Sequence, residues 1–236
     1  MPLVCRGLTG LVATTIAIAV SAAAQVAPAA RQSQLLPVDE AVRRPDFFSF
    51  RAGLQAAIAR RDAAVLLASV HPAIKNSFGG DDGLDAFRRM WGLDGNASTD
   101  RGDASGPDGS DGIWAELGTV LALGGSFTGD GTFVAPYTFS RWPDEVDAFE
   151  HVVLLAADVR VRAAPGPDGP VLRSASFEIF PRAQSSDGTG EWLAVRLGPG
   201  RTGYVAAALT RSPIDYRAIF SRTNGRWQLV TFVACD

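Results

Sequence analysis

The pattern of apolar residues changes near His151, and this change limits the folds that the chain can adopt. Between Asp46 and Phe149 apolar residues recur mainly at intervals of three and four, which is typical of amphipathic helices. After His151 they fall into short runs separated by proline and glycine clusters, which is typical of strands joined by turns. The sequence therefore predicts an α+β protein in which a helical domain precedes an all-strand region.

The helical domain, residues 46–149, contains four predicted helices and one short strand. The first helix has an apolar stripe made of Phe47, Phe50, Leu54 and Ile58. Pro72 ends the second helix, because proline lacks the N–H that a helix interior needs. Asp81 or Asp82 is placed to cap the third helix, and a fourth follows. The short strand is expected within residues 132–139.

Residues 214–236 are predicted to form a C-terminal β-hairpin. Two runs of apolar and aromatic residues flank Asn224 and Gly225, which tolerate the positive φ of a two-residue turn. An isolated hairpin is only marginally stable in water. We therefore expect the hairpin to complete the helical domain, so that the strand region between them, residues 150–213, is an insertion or a late appendage.

Residues 1–24 have the pattern of a secretory signal peptide. Arg6 precedes an apolar run, and Ala22 and Ala24 are the small residues that a signal peptidase requires. The run is too short and too rich in alanine for a membrane span of about 20 residues, so no stable membrane span is expected after cleavage. Residues 25–45 contain three prolines and little periodicity, which predicts a flexible leader.

The composition agrees with export from a bacterial cytoplasm. Lys75 is the only lysine among 22 basic residues, which together with the abundant alanine indicates a GC-rich bacterial genome. With the signal segment, this predicts a periplasmic or secreted protein. The net charge of −3 argues against nucleic-acid binding through a basic surface. Cys235 is the only cysteine after the signal segment, so no internal disulfide can form.

Three segments of the strand region carry a family resemblance. Residues 159–165 read Val-Arg-Val-Arg-Ala-Ala-Pro, residues 190–197 read Gly-Glu-Trp-Leu-Ala-Val-Arg-Leu, and residues 200–205 read Gly-Arg-Thr-Gly-Tyr-Val. In this order and spacing they resemble the bacterial SH3-like (SH3b) module. The resemblance covers residues 151–212 and implies a small β-barrel that binds a peptide or a cell-wall component.

The residues themselves fit such a barrel. Val159 and Val161 share one face of a strand, with arginines on the other face. Trp192 offers the bulk that the core of a domain of about 60 residues needs, and Gly203 permits a turn before Tyr204. The helical region in turn resembles uncharacterised exported proteins that carry the same module, through segments at residues 77–80, 123–127 and 135–137.

Arg162, Trp192 and Tyr204 are the predicted ligand-binding residues of the SH3-like module. Aromatic rings and guanidinium groups beside a groove suit a peptide that carries carboxylates. Each residue also has an alternative role. The rings can pack in the core, and Arg162, like Arg196, can be an exposed strand charge.

No catalytic residue, metal site or cofactor is predicted. Residues 198–203 match Gly-x-Gly-x-x-Gly, but the helix and the acidic residue of a dinucleotide-binding fold do not follow. His71, His151 and Cys235 are too few and too far apart in sequence for a zinc site. The aspartates of the glycine-rich loop, residues 93–112, fit no calcium-binding spacing and indicate a solvated loop.

Three hypotheses for the function remain at this point. The first is a non-enzymatic envelope protein whose SH3-like module binds a peptide or a wall component. The second is an envelope hydrolase with an unrecognised active site, which a pocket containing groups of shifted pKa would favour. The third is a structural subunit of an envelope complex, which a flat apolar patch on the barrel would favour. The sequence leaves the ligand and the oligomeric state open.

Overall fold

The computed structural model of the protein describes residues 34–93, 109–186 and 190–234. Within these ranges the fold is α+β, with five α-helices and two β-sheets, which confirms the predicted fold class. The helices are α1 (Pro45–Ala59), α2 (Ala63–Ala68), α3 (Leu84–Met90), α4 (Gly109–Ala122) and α5 (Tyr137–Ser140). None of the helices in these ranges is long and apolar enough to cross a membrane. The predicted signal segment 1–24 lies outside the described residues.

The strands form one five-stranded and one seven-stranded sheet. In chain order they are β1 (Val70–Lys75), β2 (Ser126–Phe127), β3 (Phe133–Ala135), β4 (His151–Leu154), β5 (Val159–Arg162), β6 (Val171–Ala175), β7 (Ile179–Ser186), β8 (Trp192–Gly198), β9 (Arg201–Ala206), β10 (Thr210–Arg211), β11 (Arg217–Thr223) and β12 (Arg226–Val233). The first sheet has the order β1-β12-β11-β3-β2, and the second β10-β4-β7-β8-β9-β5-β6. We call the helices with the first sheet the helical module, and the second sheet the strand module.

The C-terminal hairpin belongs to the helical module. β11 and β12 are antiparallel and turn at Asn224 and Gly225, whose φ angles are 52° and 78°. β11 pairs with β3 in antiparallel fashion, and β12 pairs with β1 in parallel fashion. The strand module is therefore inserted, in sequence, between α5 and the hairpin.

Aromatic rings fill the core of the helical module. The Phe47 ring on α1 has centroid separations of 4.3 Å from Phe133 and 6.1 Å from Phe50. It also contacts the rings of Phe127, Phe220 and Trp227. Because these rings come from α1, β2, β3 and the hairpin, a single buried residue links elements that are distant in sequence.

The core of the strand module is mostly aliphatic. Its buried residues are Val152, Leu154, Val159, Val161, Ala175, Phe180, Val195 and Val205. Trp192 is absent from this core and only half-buried, so the expectation that it fills the barrel interior is wrong. Strand alternation explains the difference, because Leu193 and Val195 of β8 point inward and Trp192 therefore points outward.

The seven-stranded sheet is not closed by its hydrogen bonds. β10 and β6 lie at its two ends, and among the described residues no pairing joins them. A barrel requires such a closure. The strand order is thus established, while the SH3-like barrel remains a prediction.

A third apolar cluster lies where the two modules meet. It contains Tyr137 of the helical module, Val153 and Ile179 of the strand module, and Leu35. Next to it, Arg211 of β10 donates to the Glu116 carboxylate of α4 at 2.7 Å. Because both groups are mostly buried and oppositely charged, this ion pair stabilises the contact between the modules.

Residues 34–45 are not the flexible leader that the sequence predicts. The Leu35 N–H donates to the carbonyl of Phe177 at 2.8 Å, and Arg51 donates two hydrogen bonds to the Asp39 carboxylate, at 2.8 and 2.6 Å. Ala41 is fully buried. The segment has little periodicity because its contacts with both modules are made by isolated bridges and one short 3-10 helix, Ala41–Arg43, and not through an α-helix or a long strand.

Two other predictions about the helical module are wrong. Pro72 does not end the second helix, because α2 ends at Ala68 and Pro72 lies inside β1. β1 is an edge strand, where the missing N–H of proline is tolerated. Asp82 does not cap α3, whose N-cap is Gly83. The Asp82 carboxylate instead accepts a hydrogen bond from the backbone N–H of Asn76 at 3.0 Å.

Candidate functional site

The outward face of β5, β8 and β9 carries all three predicted ligand-binding residues. Arg162 of β5 is paired in register with Tyr204 of β9, and Trp192 of β8 is paired with Ala206 of β9. The alternating residues Val195 and Val205 point into the core. The strand geometry therefore places the three residues on an outward face, separate from the buried one.

Arg162 and Trp192 line a groove of about 280 Å³, which we call the tryptophan groove. Its other lining residues are Ala156, Ala157, Asp158, Val159, Arg160, Ala206 and Leu209. Tyr204 does not line it. Tyr204 is the residue directly across the strand pair from Arg162, on β9. The structure thus brings together two of the three predicted residues in one cavity.

The Arg162 guanidinium is held in a fixed position. Its Nη1 donates to the carbonyl of Gly169 at 2.6 Å, and its Cζ is 6.0 Å from the centre of the Trp192 ring. Gly169 is required for this arrangement, because a Cβ there would lie 2.5 Å from the carbonyl oxygen of Ala164. A cation held in place by the turn after β5 loses little conformational freedom when an anion binds.

The groove combines a cation with an apolar wall. Ala206 and Leu209 supply aliphatic surface beside the Trp192 ring, while Asp158 and Arg160 place charges of both signs at its edge. Such a site suits a short chain that presents an apolar side chain together with a carboxylate or amide group.

Gly203 has a different role from the predicted turn. It lies within β9, where an added Cβ would be 2.6 Å from Val161 Cγ1 and 2.9 Å from Leu197 Cδ1. The glycine thus lets β9 approach the core closely. The actual turn between β8 and β9 lies at Gly198 and Gly200, whose φ angles are 148° and 65°. The Gly-x-Gly-x-x-Gly segment therefore joins two strands, as the absence of a following helix predicts.

The groups with a shifted pKa do not line the tryptophan groove. Hydrogen bonds from the Trp227 indole, the Asn76 backbone and the Thr128 hydroxyl lower the pKa of Asp46, Asp82 and Asp130 respectively. Burial raises the pKa of Tyr137 at the contact between the modules. All four lie in the helical module.

The histidines serve local hydrogen bonds. His71 Nδ1 accepts from the backbone N–H of Ala73 at 3.1 Å, and His151 Nδ1 lies 2.8 Å from the carbonyl of Asp147. In residues 34–93, 109–186 and 190–234, no three histidine, cysteine or acidic side chains are grouped as a metal would require. Most of the aspartate-rich loop, residues 94–108, lies outside the described residues.

A second cavity, which the sequence reasoning did not predict, lies at another end of the strand module. It measures about 560 Å³ and is lined by Arg182, Arg196 and Arg201, and we call it the arginine cleft. Arg196, named with Arg162 above as an exposed strand charge, lines this cleft and not the tryptophan groove. The turn sequence Gly-Pro-Gly-Arg-Thr-Gly, which brings Arg201 back towards Arg196, was the available signal.

Comparison of the chain with protein-family models, with characterised proteins and with solved structures finds no significant match.

Proposed function

We propose that the protein is an exported bacterial envelope protein, periplasmic or secreted, whose strand module is an SH3-like unit that binds an extended peptide or a cell-wall component. The observation that carries the proposal is the tryptophan groove, in which a fixed guanidinium and an indole ring share one cavity. The three ordered sequence motifs support the SH3-like assignment, and the signal-like residues 1–24 support export.

The groove supplies two kinds of interaction to a wall peptide. Trp192 and Leu209 offer apolar surface to the methyl or methylene groups of its side chains. Arg162 offers a charged donor to a carboxylate, and hydrogen bonds to charged partners are the stronger class. Tyr204 is the cross-strand neighbour of Arg162 on β9.

The test is retention of the purified protein, from residue 25 onward, on insoluble peptidoglycan. We expect Trp192→Ala and Arg162→Ala each to weaken retention at least tenfold, and Tyr204→Ala to weaken it about twofold to threefold, because its ring lies outside the groove. Phe48→Ala and Arg226→Ala are matched controls, since they remove an exposed ring and an exposed cation from the helical module. These controls should bind like the wild type.

The export part of the proposal has its own measurement. The protein should be recovered from the periplasmic or culture fraction with a mass that corresponds to a start at residue 25. Recovery of a full-length chain from the cytoplasm would refute export. Absence of retention on peptidoglycan and on its soluble peptides at moderate salt would refute wall binding, even if export is observed.

A further inference from the structure

The arginine cleft has an excess of positive charge on a protein whose net charge is negative. Three neighbouring strands each contribute one guanidinium, namely Arg182 of β7, Arg196 of β8 and Arg201 of β9. Glu150 is the only carboxylate among the residues that line the cleft. It reaches only Arg196, at an N–O distance of 3.7 Å. The lining of the cleft therefore carries two more positive charges than negative ones.

Among the described residues, two of the three guanidinium groups have no carboxylate partner. Within the part of the chain that the structure describes, no acidic side chain lies within 4.0 Å of the nitrogens of Arg182 or Arg201. Both residues are exposed, so their charge is compensated by solvent and not by the protein. Like charges around one cavity repel, and the binding of an anion there relieves this repulsion. The planar guanidinium matches the two oxygens of a carboxylate.

The cleft also has an aromatic wall. Phe149 lines it, and 60 % of this residue is exposed to solvent. The main chain at this point is held by two hydrogen bonds, since the Phe149 N–H donates to the Asp147 carboxylate at 2.8 Å and the Arg182 N–H donates to the carbonyl of Glu150 at 2.8 Å. An exposed ring beside cations is a surface on which the C–H face of a sugar ring can stack, because ring faces carry partial negative charge.

The geometry points to a second ligand site. We propose that the arginine cleft binds an acidic oligosaccharide, with its carboxylates on Arg182 and Arg201 and one sugar ring on Phe149. Gln184 and Thr202 add an amide and a hydroxyl for the sugar hydroxyl groups. The aromatic wall favours a sugar acid over a bare phosphate chain, which offers no ring to stack. The cleft shares no lining residue with the tryptophan groove, so this site does not depend on the proposed function.

The probe for this site is a defined oligomer of galacturonate, titrated into the purified protein by calorimetry at low salt. We expect binding that weakens at least tenfold in the double variant Arg182→Ala/Arg201→Ala, and about threefold to fivefold in Phe149→Ala. Arg60→Ala/Arg226→Ala is the matched control, because it removes two exposed cations from the helical module and changes the net charge equally. The control variant and Trp192→Ala should keep the wild-type affinity.

Four results would overturn the proposal. The first is the absence of galacturonate binding by the folded wild-type protein. The second is an equal loss in the two double-arginine variants, which would mean general charge attraction. The third is inorganic polyphosphate binding as tightly as galacturonate with no dependence on Phe149, which would mean a phosphate site. The fourth is tight binding of neutral dextran, which would show that the charges are not used. Circular dichroism spectra that match the wild type establish that each variant is folded.

Discussion

The two modules keep their aromatic residues in different places. In the helical module Phe47, Phe133 and Trp227 are buried against one another and make the core. In the strand module only Phe180 is in the core, and Trp192 lies on the outward face with Tyr204. The comparison shows that aliphatic residues fill most of the interior of the strand module. The rings of Trp192 and Tyr204 are therefore left on its outward face, where a ligand can reach them.

The modules also differ in how their sheets are assembled. The seven-stranded sheet is made from one continuous stretch between β4 and β10, whereas the five-stranded sheet joins β1, β2 and β3 to a hairpin that follows the whole strand module. The helical module therefore depends on contacts between distant parts of the chain. Mutations that test this dependence should have larger effects than mutations in the strand module.

The largest effect is expected when the hairpin is removed. A chain that ends at Ser212 lacks β11 and β12, which pair with β1 and β3 and carry Phe220, Trp227 and Phe232 into the core. We expect the shortened chain to be without its folded helical module at 25 °C and to show no cooperative thermal unfolding of the helices, as measured by far-ultraviolet circular dichroism. Slow hydrogen exchange should persist in β7, β8 and β9, because their pairing is local. An unchanged helical melting curve would contradict the dependence of the helical module on the hairpin.

The next largest effect is expected from shortening one buried side chain in each core and comparing the losses in the free energy of unfolding. Phe47→Ala removes a ring that touches five others and should lower the free energy of unfolding by about 3–5 kcal/mol. Val195→Ala in the strand module should lower it by about 2 kcal/mol. Urea unfolding measures both. Equal losses would show that the aromatic core is no more important than the aliphatic one.

A third prediction uses one substitution with opposite outcomes in the two modules. Gly203→Ala places a methyl group against Val161 and Leu197 in the strand module and should cost about 2–3 kcal/mol. Gly53→Ala, on the exposed face of α1 with nothing within 4 Å of the new Cβ, should stabilise by about 0.5–1 kcal/mol. Thermal melts of both variants test the two predictions. Stabilisation by Gly203→Ala would mean that β9 does not approach Val161 and Leu197 closely.

A fourth prediction concerns the contact between the modules. A double-mutant cycle with Arg211→Met and Glu116→Gln should give a coupling energy of about 1–2 kcal/mol, because the pair is partly buried and separated by 2.7 Å. The exposed pair of Lys75 and Asp82, at 3.1 Å, is the control and should give well under 1 kcal/mol. Equal coupling energies in the two cycles would show that the Arg211 pair adds nothing to the contact.

The smallest effect is a pH dependence in the helical module. The Trp227 indole donates to the Asp46 carboxylate at 2.9 Å and lowers its pKa in the folded protein. An aspartate in the unfolded chain has a pKa of about 3.9. The stabilisation of the folded protein by the ionised Asp46 is therefore complete above that pH, and it is lost as the pH falls through the lower pKa of the folded state. Trp227→Phe should raise the Asp46 pKa in a carbon-detected NMR titration, while that of Asp130 should stay unchanged. An unmoved Asp46 pKa would remove the indole as the cause.

The sequence patterns predicted the elements that depend on residues close together in the chain. The positive φ that Asn224 and Gly225 tolerate placed the hairpin turn, and the strand-and-turn spacing after His151 gave the strand content of the seven-stranded sheet. β6 was not predicted, because Val171 and Leu172 are exposed at a sheet edge and give no alternating signal. β1 was not predicted either, because Pro72 lies inside it and proline is typical of a break in secondary structure.

The candidate site was predicted only in part, because it depends on which strands become neighbours. Arg162 and Trp192 are 30 positions apart and meet only through the pairing of β5 and β8 with β9. The arginine cleft was not predicted, because the turn sequence links only Arg196 and Arg201, and Arg182 joins them through the pairing of a third strand, β7. Sequence alternation gives the face of a strand on which a residue lies, but it does not give the partner across the sheet.

The short segment between Leu35 and Asp39 has a mechanical consequence. It is fastened to the strand module by the Leu35–Phe177 hydrogen bond and to α1 by the pair of Asp39 and Arg51. Tension that enters from the preceding residues is therefore carried first by the connection between β6 and β7, then by the ion pair, and only afterwards by the first helix. If the protein is tethered through the residues before Leu35, a pulling force acts on the sheet that bears both proposed ligand sites before it acts on the aromatic core.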